Sequence, residues 1–381
     1  MNFEPYPFEK LSTLLSDIKP NNAYIESVLT IGEPQFETPD FIQRALCDNS
    51  DLLKKYPKTN GEENLRVAQR GFFLKRFNTN LTNEQIIPTF GTREVLFNFP
   101  QFLLFDKKEP LMAYTNPFYQ IYEGAAIASK AKILLLNLDE KNDFKPIIDE
   151  DELSKCDLVI LNFPNNPTTS VLTLDELGEW VKLALKYDFV LLNDECYSEI
   201  YTDAPIPSLL EASLHVGNMD FKNTLVINSI SKRSSAPGLR SGFIAGDEKI
   251  LKEYMKYRTY IGCASPLPLQ NAAAEAWRDE EHVEISREIY KKNFELAKEI
   301  LGIKIPKGTF YIWLKVKNPL EFTKKLYKEY NVKVLPGEYL ARNDKNANNP
   351  GKDFVRIALV ETPQKIESAL LRIKECLNEQ N

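Results

Sequence analysis

The chain has 381 residues, 43% apolar and 27% charged, with a net charge of −6. That length exceeds what one hydrophobic core usually holds, so a large domain and a smaller one are expected. The composition excludes a disordered or fibrous chain, and an acidic chain without a basic block argues against nucleic acid and anionic membrane as partners.

The N-terminus, MNFEPYPFEKL, has no basic region followed by an apolar one, so no signal peptide is expected. The longest apolar runs, at 132–136 and 158–161, are too short to span a bilayer. The five cysteines are scattered without C-x-x-C spacing. That suits a reducing cytoplasm better than a disulfide framework or a zinc site. Only two histidines are present, His215 and His282, so a histidine triad or a multi-histidine metal site is hard to build, and no metal is expected.

From residue 85 onward, short apolar runs recur at 85–88, 110–114, 132–136, 157–161, 189–192, 224–227 and 242–245. Amphipathic stretches lie between several of them, such as 174–186, preceded by Thr173 as an N-cap. Short buried strands alternating with helices predict an α/β fold with a mostly parallel sheet covered on both faces. The last third changes character. A charged helix at 281–300 is followed by a strand (309–316), a helix (320–330), a strand (332–335), a polar loop (341–353), a strand (354–359) and a helix (363–377). This pattern predicts a compact α+β domain, against which the amphipathic segment 8–18 would pack. The expected division is a large domain over 31–275 and a small one from 1–30 and 276–381.

Distinctive polar groups follow five of the runs: Gly91-Thr92-Arg93, Asn116-Pro117-Phe118-Tyr119, the stretch 162–168, Asn193-Asp194-Glu195, and the stretch 229–232. In open α/β sheets ligands bind outside the carboxyl ends of the strands. Any one group is ordinary loop chemistry; five with different chemistries point to one site. Lys232 directly follows an apolar strand, where burial would lower its amine pKa and favour the neutral nucleophile. Ser229 and Arg240 could share a phosphate, one as a hydroxyl donor and the other as a planar fork. For S-x-S-K alone a solvated basic loop would be the better reading; the added P-G-x-R-x-G in SISKRSSAPGLRSG (229–242) weakens it.

This segment resembles the lysine motif of the class I/II aminotransferases, fold-type-I enzymes that use pyridoxal 5′-phosphate (PLP). The resemblance covers essentially the whole chain and implies a role for each remaining position. Lys232 would hold the cofactor and move the proton. Asp194 and Tyr197, in a D-x-x-Y element, would meet the ring nitrogen and the phenolic oxygen. Asn166, in NFPNNPTT (162–169), would also meet the phenolic oxygen. In that stretch Thr169 replaces the family's usual glycine, so the turn after Asn166 is expected to differ. Gly91, Thr92 and Arg93 would cradle the phosphate at a helix N-terminus. Tyr119 would stack on the ring. Arg356 would clamp the substrate α-carboxylate, with the Gly32 backbone amide and Asn166 beside it. Tyr56 would reach the site of a second subunit, which implies a homodimer.

Longer stretches, YPKTNGE (56–62), NPFYQIYEG (116–124), DECYSEIY (194–201) and YRTYIGC (257–263), are similar to the succinyldiaminopimelate branch of the family. That similarity implies transamination between N-succinyl-LL-2,6-diaminopimelate and 2-oxoglutarate, with glutamate as amino donor, in lysine and diaminopimelate synthesis. Arg258 or Arg93 would then meet the distal succinyl carboxylate. The alternatives are an aspartate or broad-specificity aminotransferase, a C–S lyase and a non-catalytic PLP-binding protein.

Overall fold

The computed structural model describes residues 3–379, so the outermost ends of the expected small domain lie outside the described residues. Seven strands form a central sheet in the order Ile86–Thr89, Gly242–Gly246, Thr224–Ser229, Val190–Asp194, Leu158–Leu161, Leu111–Asn116, Lys132–Asn137. All run parallel except Gly242–Gly246, which is antiparallel to both neighbours.

The near-continuous apolar runs are explained by burial on both faces. Successive strand residues point to opposite sides. Ala113, Val159, Leu161, Leu191 and Val226 enter one core, with Phe72, Trp180 and Trp277. Met112, Tyr114, Leu158, Ile160, Leu192, Leu225 and Ile227 enter the other, with Phe99, Tyr122 and Tyr254. Burying each large apolar side chain is worth about 1.5–3 kcal/mol. The helices covering the two faces include Leu174–Tyr187, which begins as expected at Thr173, closed by a capping box with Glu176.

The last third builds a separate core. Strands Leu335–Pro336, Phe354–Ala358 and Tyr311–Lys315 pair antiparallel in that order. The helices Glu281–Leu301, Pro319–Tyr330 and Pro363–Asn378 contribute to the same core. The expected strand over 332–335 is two short pieces: Val332–Lys333 pairs with Ser27–Val28 in a separate two-stranded sheet, and Leu335–Pro336 joins the three-stranded one. The N-terminal helix Pro7–Leu15 packs on this part of the molecule through Leu11 and Leu15, against Leu335 and Leu340.

Strand direction places the site. The parallel strands end at one edge of the sheet, beside Gly91, Asn116, Asn162, Asp194 and Ser229. The antiparallel strand starts there, with Gly242 paired to both Ser229 and Thr89. Arg240 therefore reaches the same edge from the other chain direction. Among the described residues no helix is long and apolar enough to cross a membrane.

Candidate active site

A cavity of about 450 Å³ opens at that edge, a volume ordinary for a small-molecule site. Lys232, Thr92, Arg93, Tyr119, Asn166, Asp194, Tyr197, Ser229, Arg240, Gly32 and Arg356 all line it. Gly91 lies just behind, and Tyr56 is elsewhere, fully exposed.

Lys232 sits in the short helix Ile230–Arg233, capped by the Ser229 hydroxyl. Its ammonium donates to the Gly32 carbonyl, so the chain at Gly32 crosses directly over it. A side chain at position 32 would overlap the Tyr311 hydroxyl. Burial pushes the Lys232 amine down to about 8; Cys196 and Glu33 oppose that, while Arg356 and Arg240 add to it.

Asp194, at the end of its strand, accepts from the Tyr122 hydroxyl at 2.8 Å and from the Cys196 backbone N–H at 3.2 Å. Burial pushes its carboxyl up, and the donors Cys196 and Tyr122 pull the other way. The Tyr197 hydroxyl lies 2.9 Å from that of Tyr311. The Asn166 side-chain oxygen accepts from Arg356 at 2.8 Å.

Arg356 is buried on the middle strand of its sheet, which rules out an exposed edge-strand charge. Its guanidinium also donates to the Thr30 carbonyl at 2.6 Å and lies 4.4 Å from the Tyr311 ring centre. Its Nε is buried with no hydrogen-bond partner among the described residues. Arg240 donates to the carbonyls of Pro237 (2.8 Å) and Phe90 (3.3 Å). This brings its guanidinium over Gly91, the N-cap of helix Thr92–Leu103. A Cβ at Gly91 would collide with that guanidinium, and the residue's φ of +72° with ψ of 171° lies in a region that essentially only glycine adopts. The Tyr119 hydroxyl accepts from Arg93 Nε at 2.7 Å.

Two expectations are corrected. Thr169 adopts φ +68°, and its amide donates to the Asn165 carbonyl at 2.9 Å. The turn after Asn166 thus takes the left-handed conformation normal for glycine, and the hydrogen bonds around Asn165 hold threonine there. Arg258 is buried and paired with Glu94 at 3.1 Å, and it also donates to the Pro88 carbonyl. It does not line the cavity, so it is unsuited to a substrate carboxylate.

Tyr122, Cys196 and Tyr311 are additions from the structure. Tyr122 lies inside NPFYQIYEG, but its contact with Asp194 spans 72 positions, and the Tyr197–Tyr311 contact spans 114. No local pattern signals either.

The donor set fits PLP. Arg240, Ser229 and the N-terminal amides of helix Thr92–Leu103, which has no side-chain cap, suit a phosphate. Asp194 is a buried carboxyl for which a protonated ring nitrogen would supply the opposite charge. The unpartnered Nε of Arg356 suits a carboxylate.

The family described as aminotransferase class I and II matches residues 26–373. An aminotransferase AspB from Helicobacter pylori has a solved structure with a TM-score of 0.96 to this chain and 53% identity, covering 99% of this chain and 100% of its own. An LL-diaminopimelate aminotransferase of Natranaerobius thermophilus is 29% identical over 98% of this chain and 97% of its own length. An aspartate aminotransferase of Pyrococcus abyssi is 29% identical over 92% and 91%. With the family spanning nearly the whole length and the strand-end cavity carrying a donor set suited to PLP, the chain belongs to the class I and II aminotransferases and is a PLP-dependent aminotransferase.

Proposed function

We propose that this aminotransferase moves an amino group between glutamate and N-succinyl-2-amino-6-oxopimelate, forming N-succinyl-LL-2,6-diaminopimelate for lysine synthesis. The supporting observation is that two arginines, Arg356 and Arg93, line one cavity with Lys232. The likeness to an LL-diaminopimelate aminotransferase supports the same carbon skeleton.

PLP bound here would act as an electron sink that makes the substrate Cα–H acidic. Lys232 would hold the cofactor and, once released from it, would carry the proton between the substrate Cα and the cofactor's C4′; an amine near 8 is well matched to that work. Asp194 keeps the ring nitrogen protonated, and Tyr122 and the Cys196 amide fix the carboxylate's direction. Tyr197 and Asn166 would orient the phenolic oxygen, and Tyr119 would cover the ring. Arg240, Ser229, Thr92 and the amides after Gly91 hold the phosphate. Arg356 and the Gly32 backbone grip the α-carboxylate, and Arg93 meets the distal one.

We infer a homodimer in which Tyr56 completes the neighbouring site. Tyr56 is fully exposed, and Arg258 ties its segment, through the Thr59 carbonyl, to the helix Glu248–Arg258, which leads to exposed Tyr260. The division into a large domain (31–275) and a small one (1–30 and 276–381) belongs to the same reading. So does a cytoplasmic setting, which the five free cysteines support.

Amino-acceptor kinetics test the substrate. With glutamate as donor, kcat/KM for the succinylated keto acid should exceed that for oxaloacetate by at least about tenfold, and Arg93→Ala should erase most of that ratio. Faster turnover of oxaloacetate would favour the aspartate reading, to which the Pyrococcus relative points.

A further inference from the structure

Immediately behind the cavity, Ser234 Oγ lies 2.9 Å from His282 Nε2, and His282 Nδ1 lies 2.5 Å from Asp279 Oδ1. The order serine, histidine, aspartate is that of a nucleophilic triad. Ser234, however, is 1% exposed and does not line the cavity described above. The chain of bonds must act on something inside the protein, and Ser234 is the residue that ends the lysine helix. Its amide donates to the Ile230 carbonyl at 2.8 Å, closing the single turn that carries Lys232.

We propose that Asp279, His282 and Ser234 form a hydrogen-bonded relay that positions Lys232 by clamping the end of helix Ile230–Arg233, so that His282 is a positioning residue for the transamination. The inference rests on the reading of Lys232 as the cofactor lysine.

Asp279 orients the ring. Its carboxylate accepts the His282 backbone N–H at 3.1 Å and meets Nδ1, so Nδ1 carries the proton and Nε2 accepts from the Ser234 hydroxyl. Arg233 adds a second tie. It donates to the Ala276 carbonyl (2.7 Å) and to Glu280 (2.6 Å), and it packs on Phe72 and Trp277. The residue before Arg233 faces the cavity, while the two residues that end the helix and follow it are anchored to the segment 276–282. A helix of four residues has too few hydrogen bonds of its own to hold a side chain still. The tertiary ties supply that rigidity, and proton transfer is sensitive to placement on the scale of an ångström. Burial and the nearby Arg233 guanidinium hold the His282 imidazole below its ordinary range, against the pull of Asp279, which favours the neutral tautomer the relay needs.

The test uses holoenzyme of the wild type, Ser234→Ala, His282→Gln and the double variant. The visible absorbance of the bound cofactor is titrated against pH, and kcat and KM are measured with glutamate. Each single variant should shift the titration midpoint by about half a pH unit or more and lower kcat about three- to tenfold with KM within about twofold, and the double should add nothing further. Ser234→Ala removes one oxygen atom, so it serves even where His282→Gln fails to fold. An unchanged midpoint in Ser234→Ala, or additive effects in the double, would overturn the relay. Lys232→Ala separates the two readings. If it keeps the wild-type absorbance, the assignment of Lys232 fails and the relay with it. If it loses that absorbance while Ser234→Ala titrates like the wild type, the relay alone fails.

Discussion

At the scale of single residues, the cavity gathers positive charge at the cost of stability. Lys232, Arg240 and Arg356 share one small space with two carboxyls, Glu33 and Asp194, and Asp194 is committed to Tyr122 and Cys196. The lysine bears that cost: burial first, with Arg356 and Arg240 adding to it, holds its amine at about 8. An unfolded lysine titrates near 10.4, so between about pH 8 and 10.4 the unfolded chain binds more protons than the folded one. Stability of the cofactor-free protein should therefore rise with pH through that window, and below it the penalty should stay constant. Lys232→Met removes the penalty. At pH 7 the cofactor-free variant should be more stable by about 1–3 kcal/mol, a figure reduced because the open cavity lets water screen the amine. The gain should vanish by pH 10.5. Urea denaturation of both proteins at pH 7 and at pH 10.5 measures it, and an equal gain at both pH values would refute the argument.

At the scale of elements, the turn after Asn166 stores strain where glycine would relieve it. A β-branched residue at φ +68° costs roughly 1–2 kcal/mol. Glycine returns part of that as unfolded-state entropy, about 0.5–1 kcal/mol. Thr169→Gly should therefore raise stability slightly, by up to about 1 kcal/mol, and leave KM for glutamate unchanged; thermal unfolding and steady-state kinetics check the two halves. A fall in stability would mean that Thr169 makes a contact worth more than its strain. The same loop shows what the sequence reveals at this scale. The strand-end groups are legible because strands buried on both faces read as apolar runs, and whatever follows such a run must stand at the sheet edge. Lys232 and the stretches 162–168 and 193–195 can be placed that way, while the choice of Asp194 and Asn166 within those stretches comes from the family resemblance. Thr169 misleads because residue preference is local, while the Asn165 and Ser170 hydrogen bonds that hold the turn are made by the folded loop. Tyr122 and Tyr311 escape notice because their partners come from distant segments of the chain, and an aromatic on a helix or strand looks like core until its hydroxyl is given a partner. Arg258 misleads in the opposite sense: a cation within a motif reads as a ligand, but its guanidinium is consumed by Glu94 and two carbonyls. The strand over 332–335 also divides for a reason invisible locally, since Val332 and Leu335 serve two different sheets.

At the scale of the whole molecule, the cavity and Tyr56 belong to opposite sides of one question: whether a single chain holds a complete site. Tyr56 is fully exposed and absent from its own cavity. If a partner subunit's tyrosine completes the phosphate contacts, two differently broken chains should repair each other. In a mixed dimer of Tyr56→Ala and Lys232→Ala chains, one site combines the intact lysine of the first with the intact tyrosine of the second, while the other site lacks both. Random mixing makes half the dimers mixed, each with one whole site, so co-refolded protein should show about a quarter of wild-type activity, well above either variant alone. If Tyr56 served its own chain, every site in the mixed dimer would be defective in one residue or the other, and the mixture would match the average of the two parents. Measuring activity before and after subunit exchange, with the mass of the assembly followed by light scattering, distinguishes the two arrangements. A monomer at assay concentrations would remove the shared site altogether and leave Tyr56 as a solvent-facing side chain.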